Sequence, residues 1–356
     1  MPRTLFFVLF WLAAAICPAF AGEAVFTGQE EVLRGLGYSY RLRFTEAKEV
    51  FARLVTTYPS SPAGRFYSAA IGWGMTESDA RWRVMASLYG ITTPPKREVR
   101  DGAPLEADLN AVIVLCDAIL AKKPDDFEAL FYKAGAHAFL ARMHGYGGNY
   151  FGAMSHGKKC TALFDRLYAL YPGQGDAMIG PAIYKYHVGR LPAPLRWIVG
   201  LLGLSGTKEE GLALAEKAYA AAVLSRVEVA DFLARTYVLH EGNPHKALEW
   251  IAALERELPG TMAAEFDRLL AYHGLGDAAN EEAAILRLLG RLPEVDSAVR
   301  AQWEPLLDFA RGSLREKRGD RPAAAAFFKK TLAAPGLDPW LKAEAELKLR
   351  RTDGRR

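Results

Sequence analysis

One spacing, repeated along the chain, limits what it can fold into. Ala47, Phe51, Leu54 and Pro59 follow one another at steps of four, three and five. The same steps recur in Cys160, Phe164, Leu167 and Pro172, in Ala247, Ile251, Leu254 and Pro259, and in Ala323, Phe327, Lys330 and Pro335. Weaker copies are Val112, Cys116, Ile119 and Pro124, and Glu281, Ile285, Leu288 and Pro293. Steps of four and three place side chains on one face of an α-helix. A small first residue lets a neighbouring helix approach. Proline beyond the last turn stops the helix without breaking it. Polar, glycine-bearing turns lie upstream at 240–243 (HEGN), 274–277 (GLGD) and 317–320 (KRGD) and separate each such helix from an earlier one. No run of alternating β-branched residues supplies a sheet signal. Each unit therefore reads as helix, turn, helix, proline.

This unit resembles the tetratricopeptide repeat, whose pattern is W-x2-L-G-x2-Y, then A-x3-F, then P. Gly35, Tyr38, Ala47, Phe51 and Pro59 fall in its register. Later units mostly lack the glycine and tyrosine of the first helix, and only Pro259 to Pro293 keeps the 34-residue period. The wider gaps leave room for extra helices near 78–108 and 192–224. The resemblance implies an all-α, tetratricopeptide-like helical-hairpin solenoid with irregular inserted helices over residues 22–356. Its units would end near Pro59, Pro124, Pro172, Pro259, Pro293 and Pro335. Stacked repeats form a continuous core and an extended binding surface, so the resemblance implies a non-enzymatic protein that binds a protein or peptide partner.

The N-terminus reads as a processing signal. Arg3 precedes the uncharged apolar run Leu5–Cys17, Pro18 interrupts it, and Ala19-Phe20-Ala21 offers a cleavage site. A bilayer span needs about 20 apolar residues, more than this run supplies. A signal peptide over 1–21 makes the mature chain exported, either periplasmic or associated with the cell envelope, with no transmembrane span after its removal. A retained anchor is the alternative. The 45 basic and 41 acidic residues give a net charge of +4, which falls by one when Arg3 is removed. That near-neutral balance does not point to nucleic acid. Cys116 and Cys160 remain in the mature chain, either as a disulfide or as two small buried side chains.

Candidate chemistry is sparse. Gly152–Cys160 (GAMSHGKKC) approaches a phosphate-binding loop. It lacks a preceding strand, and Lys159 stands where the Mg²⁺-binding hydroxyl belongs. The phase of Cys160, Phe164 and Leu167 instead makes it the beginning of a packing helix starting near Asn149–Gly152. His137 and His144 lie two turns apart, with His156 close by in sequence, but no HExxH, CxxC or paired acidic spacing supports a metal. No catalytic constellation, cofactor motif or metal motif is assigned. In a helical solenoid the earlier helix of each pair lines the concave face. Tyr132, His137, Tyr146, Tyr150, Tyr184, His187 and Arg190 are therefore the candidate groove and partner contacts. Leu195–Leu204 carries one charge, Arg196, and reads better as a helix covering the solenoid than as a membrane-docking segment. A different function is an accessory solute-binding protein beside a transporter, with that insert closing over a small apolar ligand.

Overall fold

The computed structural model describes residues 26–92, 99, 102–201 and 203–352, so the expected signal segment 1–21 lies outside the described residues. Among them are sixteen α-helices and no strand. The first four are α1 (Gln29–Tyr40), α2 (Phe44–Thr57), α3 (Ala63–Leu88) and α4 (Gly102–Leu120). Next come α5 (Phe127–Tyr146), α6 (Tyr150–Leu170), α7 (Gly175–Gly189), α8 (Ala193–Leu201) and α9 (Lys208–Ala221). The C-terminal half holds α10 (Arg226–Leu239), α11 (Pro244–Glu257), α12 (Met262–Leu275) and α13 (Ala278–Arg291). The last three are α14 (Ser297–Lys317), α15 (Arg321–Leu332) and α16 (Pro339–Thr352). The chain is an all-α solenoid of helical hairpins, α5/α6, α7/α9, α10/α11, α12/α13 and α14/α15, with α8 inserted inside one of them.

Local chemistry sets the hairpin turns. Four of them share a Gly-Asn or Gly-Asp pair in which the glycine takes a positive φ and the next residue caps the second helix. Gly148, Gly242, Gly276 and Gly319 have φ of 83°, 60°, 68° and 78°. Asn149, Asn243, Asp277 and Asp320 accept from the backbone N–H of Gly152, Lys246, Asn280 and Ala323 at 3.0–3.2 Å. Glycine adopts the left-handed conformation without a Cβ penalty, and the Asx oxygen satisfies an orphan helix donor. The 145–152 turn is thus the same device as the others, and α6 begins at Tyr150 with Asn149 as its cap.

The repeated spacing lands on the core. Ala47, Phe51, Leu54, Ala247, Ile251 and Leu254 are fully or almost fully buried, as are Phe164 and Leu167. Phe51 packs directly on Gly35, where a Cβ would lie 2.3 Å from the ring. The C-terminal hairpin repeats this contact between Gly312 and Phe328. Lys330 breaks the apolar pattern, and its ammonium pairs with Asp308 at 2.9 Å.

The array does not leave its inner face empty. Helix α3 is 26 residues long and lies across the inner helices of later hairpins. Its Phe66 and Tyr67 pack on Tyr132 of α5 with ring centroids 5.1 and 5.7 Å apart. Arg81 reaches Asp231 of α10 at 2.7 Å and Asp267 of α12 at 3.1 Å. Trp82 donates to the Gln302 carbonyl at 3.0 Å, and Trp303 of α14 donates to Ser78 at 3.3 Å. Tyr89 donates to Glu281 of α13. The loop after α1 closes the same contact, with Arg41 on the Pro259 carbonyl, Thr261 on the Tyr40 carbonyl and the Asp296 N–H on the Leu42 carbonyl. The solenoid curls around its own N-terminal helices. An uninterrupted concave groove is therefore replaced by a core wherever α3 is seated.

Inserted helices occupy both expected gaps, as α3 and α4 around 78–108 and as α8 and α9 around 192–224. Helix α8 does not cover the solenoid as expected. It packs on α7 and leaves Leu195 and Trp197 50% and 68% exposed. Cys116 and Cys160 are both free thiols, and burial pushes each up to about 12. No helix among the described residues is long and apolar enough to cross a membrane.

Candidate functional site

Beside α3, polar side chains of α5, α7 and α10 form a polar face. Glu228 of α10 and His187 of α7 are both exposed on it. Desolvation by neighbouring protein atoms raises the Glu228 carboxyl above its usual range and lowers His187 to about 4. Arg142 of α5 acts on both groups. It lowers Glu228 against the effect of burial, and it adds to Arg190 and His240 in disfavouring a charged His187. Its guanidinium stands 4.8 Å from the Trp73 ring centroid and pairs with Glu77 at 3.0 Å.

Next to this face lies an ionic lattice between α3, α10 and α12. Arg235 pairs with Glu77 at 2.8 Å and with Asp231 at 2.6 Å, and Arg81 joins Asp231 to Asp267. Burial alone would raise Asp231 and Glu77. The guanidiniums of Arg235 and Arg81 outweigh it at Asp231, and those of Arg235, Arg142 and Arg81 do so at Glu77. Asp267 stays raised, since burial dominates there and Arg81 only partly offsets it. Such a lattice holds α3 in one register, because a buried charge left without its partner is costly.

The seven residues expected along a groove separate into several environments. His187 and Arg190 are exposed at the rim, with Arg190 5.6 Å over the Tyr186 ring. Tyr146 is half-buried beneath α3, its ring 6.4 Å from Trp73. Tyr132 is fully buried among Phe26, Phe66, Tyr67 and Phe131, so it is core and not groove. Tyr184 faces the preceding hairpin, its hydroxyl 3.1 Å from Asp165 of α6. Tyr150 is 70% exposed on the first turn of α6, outside the inner face.

His137 is 5% exposed and turns towards α6, with its Nδ1 3.0 Å from Nδ1 of His156. His144 stacks on His156 with centroids 5.3 Å apart and planes 24° from parallel. The three histidines do meet. Stacked rings direct their nitrogens side by side instead of towards one point, and no cluster among the described residues has the form of a metal site. Burial lowers His137 to about 4 and lowers His156 as well, so the contact joins two neutral imidazoles, one donating and one accepting.

Glu77, Arg81, Glu228, Asp231, Arg235 and Asp267 escaped the sequence reading because lone charges on helices look like solvated ones. One signal was available. Trp73, Glu77 and Arg81 recur every four residues on one face of a helix too long for a standard hairpin.

No protein-family model matches this chain and no curated protein matches it, so the polar face and the fold around it carry the functional reading.

Proposed function

We propose that this is an exported, non-catalytic helical-repeat protein of divergent tetratricopeptide type that binds a protein or peptide partner in the cell envelope. The supporting observation is the polar face formed by α3, α5, α7 and α10. Glu228 and His187 are accessible there yet partly desolvated, and the Arg142 guanidinium acts on the charge of both. A polypeptide segment bearing both charge signs suits this face. Its cationic group would meet Glu228, and its carboxylate would meet Arg142 and Arg190. Both contacts would form where water screens poorly and charge-assisted hydrogen bonds are strong.

Crosslinking of the native protein followed by mass spectrometry tests this reading. A reproducible partner segment, lost in Glu228→Gln and Arg142→Ala, supports it. Absence of any reproducible partner overturns it. Native mass spectrometry of freshly purified protein separates this from a solute-binding role, in which a small molecule would remain bound. That face is polar and α8 leaves Leu195 and Trp197 exposed, so an apolar ligand closed in by α8 has less support than a peptide.

A further inference from the structure

A second surface, which shares only Arg190 with that polar face, lies at the edge where α6 begins and α7 ends. The first two turns of α6 expose Tyr150, Phe151 and Met154, with Phe151 84% accessible. Helix α8 adds Leu195 and Trp197. Phe164 packs on Gly180, and Asp165 accepts from Tyr184. Those contacts fix the antiparallel register of α6 and α7, placing Met154 level with Arg190 and Phe151 level with the start of α8. Both bulky apolar clusters therefore lie towards the end of the α6/α7 pair where α6 starts and α7 ends. Neither is single scattered exposure, which would need no explanation.

The charge around them has one sign. No aspartate or glutamate occurs from 129 to 164 or from 177 to 208, although the chain has 41 of them. Lys158 continues the α6 stripe begun by Phe151 and Met154, Lys159 is exposed beside it, and Arg190 and Arg196 flank α8. The acidic groups that other elements bring to this end are largely engaged. Glu210 holds Lys185, and Glu241 holds Lys208. Glu106 lies 3.8 Å from His144. Exposed aromatic rings beside basic groups, on stretches of chain that carry no acid, match the interface of an anionic bilayer. There the rings sit at headgroup depth and lysine and arginine meet the phosphates. A protein interface of comparable quality would more often place its aromatic anchors in a recess, whereas these protrude.

We propose that the α6–α8 edge docks the protein onto an anionic lipid surface, with Phe151, Met154 and Trp197 entering the headgroup layer and Lys158, Lys159, Arg190 and Arg196 neutralising phosphates. Flotation of the mature protein with phosphatidylcholine vesicles, with and without phosphatidylglycerol, tests this. Binding is expected only with phosphatidylglycerol, weakening as salt is raised. Phe151→Glu and Trp197→Glu should each weaken it about tenfold, a loss typical of one bulky apolar anchor, and the double variant should abolish it. Leu286→Glu, exposed on α13, should float as the wild type does. Quenching of tryptophan emission by brominated phosphatidylglycerol should disappear in Trp197→Phe. Failure of the wild type to float overturns the proposal. So does undiminished flotation of a Phe151→Glu/Trp197→Glu protein with wild-type circular dichroism, or quenching unchanged by Trp197→Phe. Retention of partner crosslinks in these variants would leave the peptide reading standing, because the two surfaces share no aromatic anchor.

Discussion

The hairpins α10–α15 and the segment α5–α8 use the same turns but finish their surfaces differently. In the C-terminal hairpins, charges that face outward or across helices find partners. Glu282 lies 2.5 Å from both Arg315 and Arg318, and Glu265 binds Arg268 and Arg287. Segment α5–α8 has long stretches, 129–164 and from 177 onward, that carry basic groups without acids, and it leaves aromatic rings in solvent. Its inner face meets α3 through rings, whereas α10 and α12 meet α3 mainly through ions. One architecture thus supports a charge-locked half and a half that keeps bulky apolar side chains exposed.

Breaking the ionic lock should have the largest effect. Arg81→Ala leaves Asp231 and Asp267 buried without their shared partner, and removal of one member of such a set costs about 3–5 kcal/mol. Urea unfolding measures it. A cost below about 1 kcal/mol, the level of an ordinary surface pair, would mean that α3 is only loosely seated.

Acid should act first on the other half. His137 titrates near 4 when folded and near 6.5 when unfolded, so the unfolded chain binds more protons between those values. This contribution to stability is complete above about pH 6.5 and is lost as pH falls towards 4, amounting to about 2–3 kcal/mol. Unfolding midpoints across this range should drop in the wild type and drop less in His137→Asn. Equal slopes would show that the His137–His156 contact is not what senses acid.

Glycine to alanine should have opposite signs at a closely packed and at an open position. At Gly211 of α9 a Cβ would lie 2.5 Å from the backbone nitrogen of Tyr186, and overpacking of this kind costs about 1–3 kcal/mol. At Gly274 of α12 nothing lies within 4 Å, so alanine should stabilise the helix by about 0.5–1 kcal/mol. Melting temperatures that move in the same direction would remove the distinction.

The smallest effect should be common to both halves. Asn149→Ala and Asp320→Ala each remove one cap bond and should each cost about 1 kcal/mol. A much larger loss at Asn149 would show that the 145–152 turn does more than cap α6.

Much of the fold was legible. The steps joining Ala47, Phe51 and Leu54 mark buried faces because helical periodicity follows from backbone geometry. The start of α6 was legible because Asn149 is a strong capping residue. The candidate site was less so. Tyr132 and His187 both stand on inner helices, but one is fully buried beneath Phe66 and Tyr67 and the other opens onto water. Nothing local separates them, since α3 is the element that decides. The insert 195–204 was equally ambiguous, because an apolar helix reads alike whether it covers a core or faces outward.

By itself, the sequence determined the all-α class, the helix ends and the apolar stripes, all of which depend on neighbours within a few residues. Only the tertiary structure decided that α3 occupies the inner face and that Arg81 joins Asp231 to Asp267. It also decided that Phe151 and Trp197 stay exposed among the described residues. The physical reason is range. Periodicity and capping act within a turn or two of helix. The meeting of residues 150 or more positions apart depends on how every intervening hairpin stacks, a sum of many small rotations that no single segment encodes.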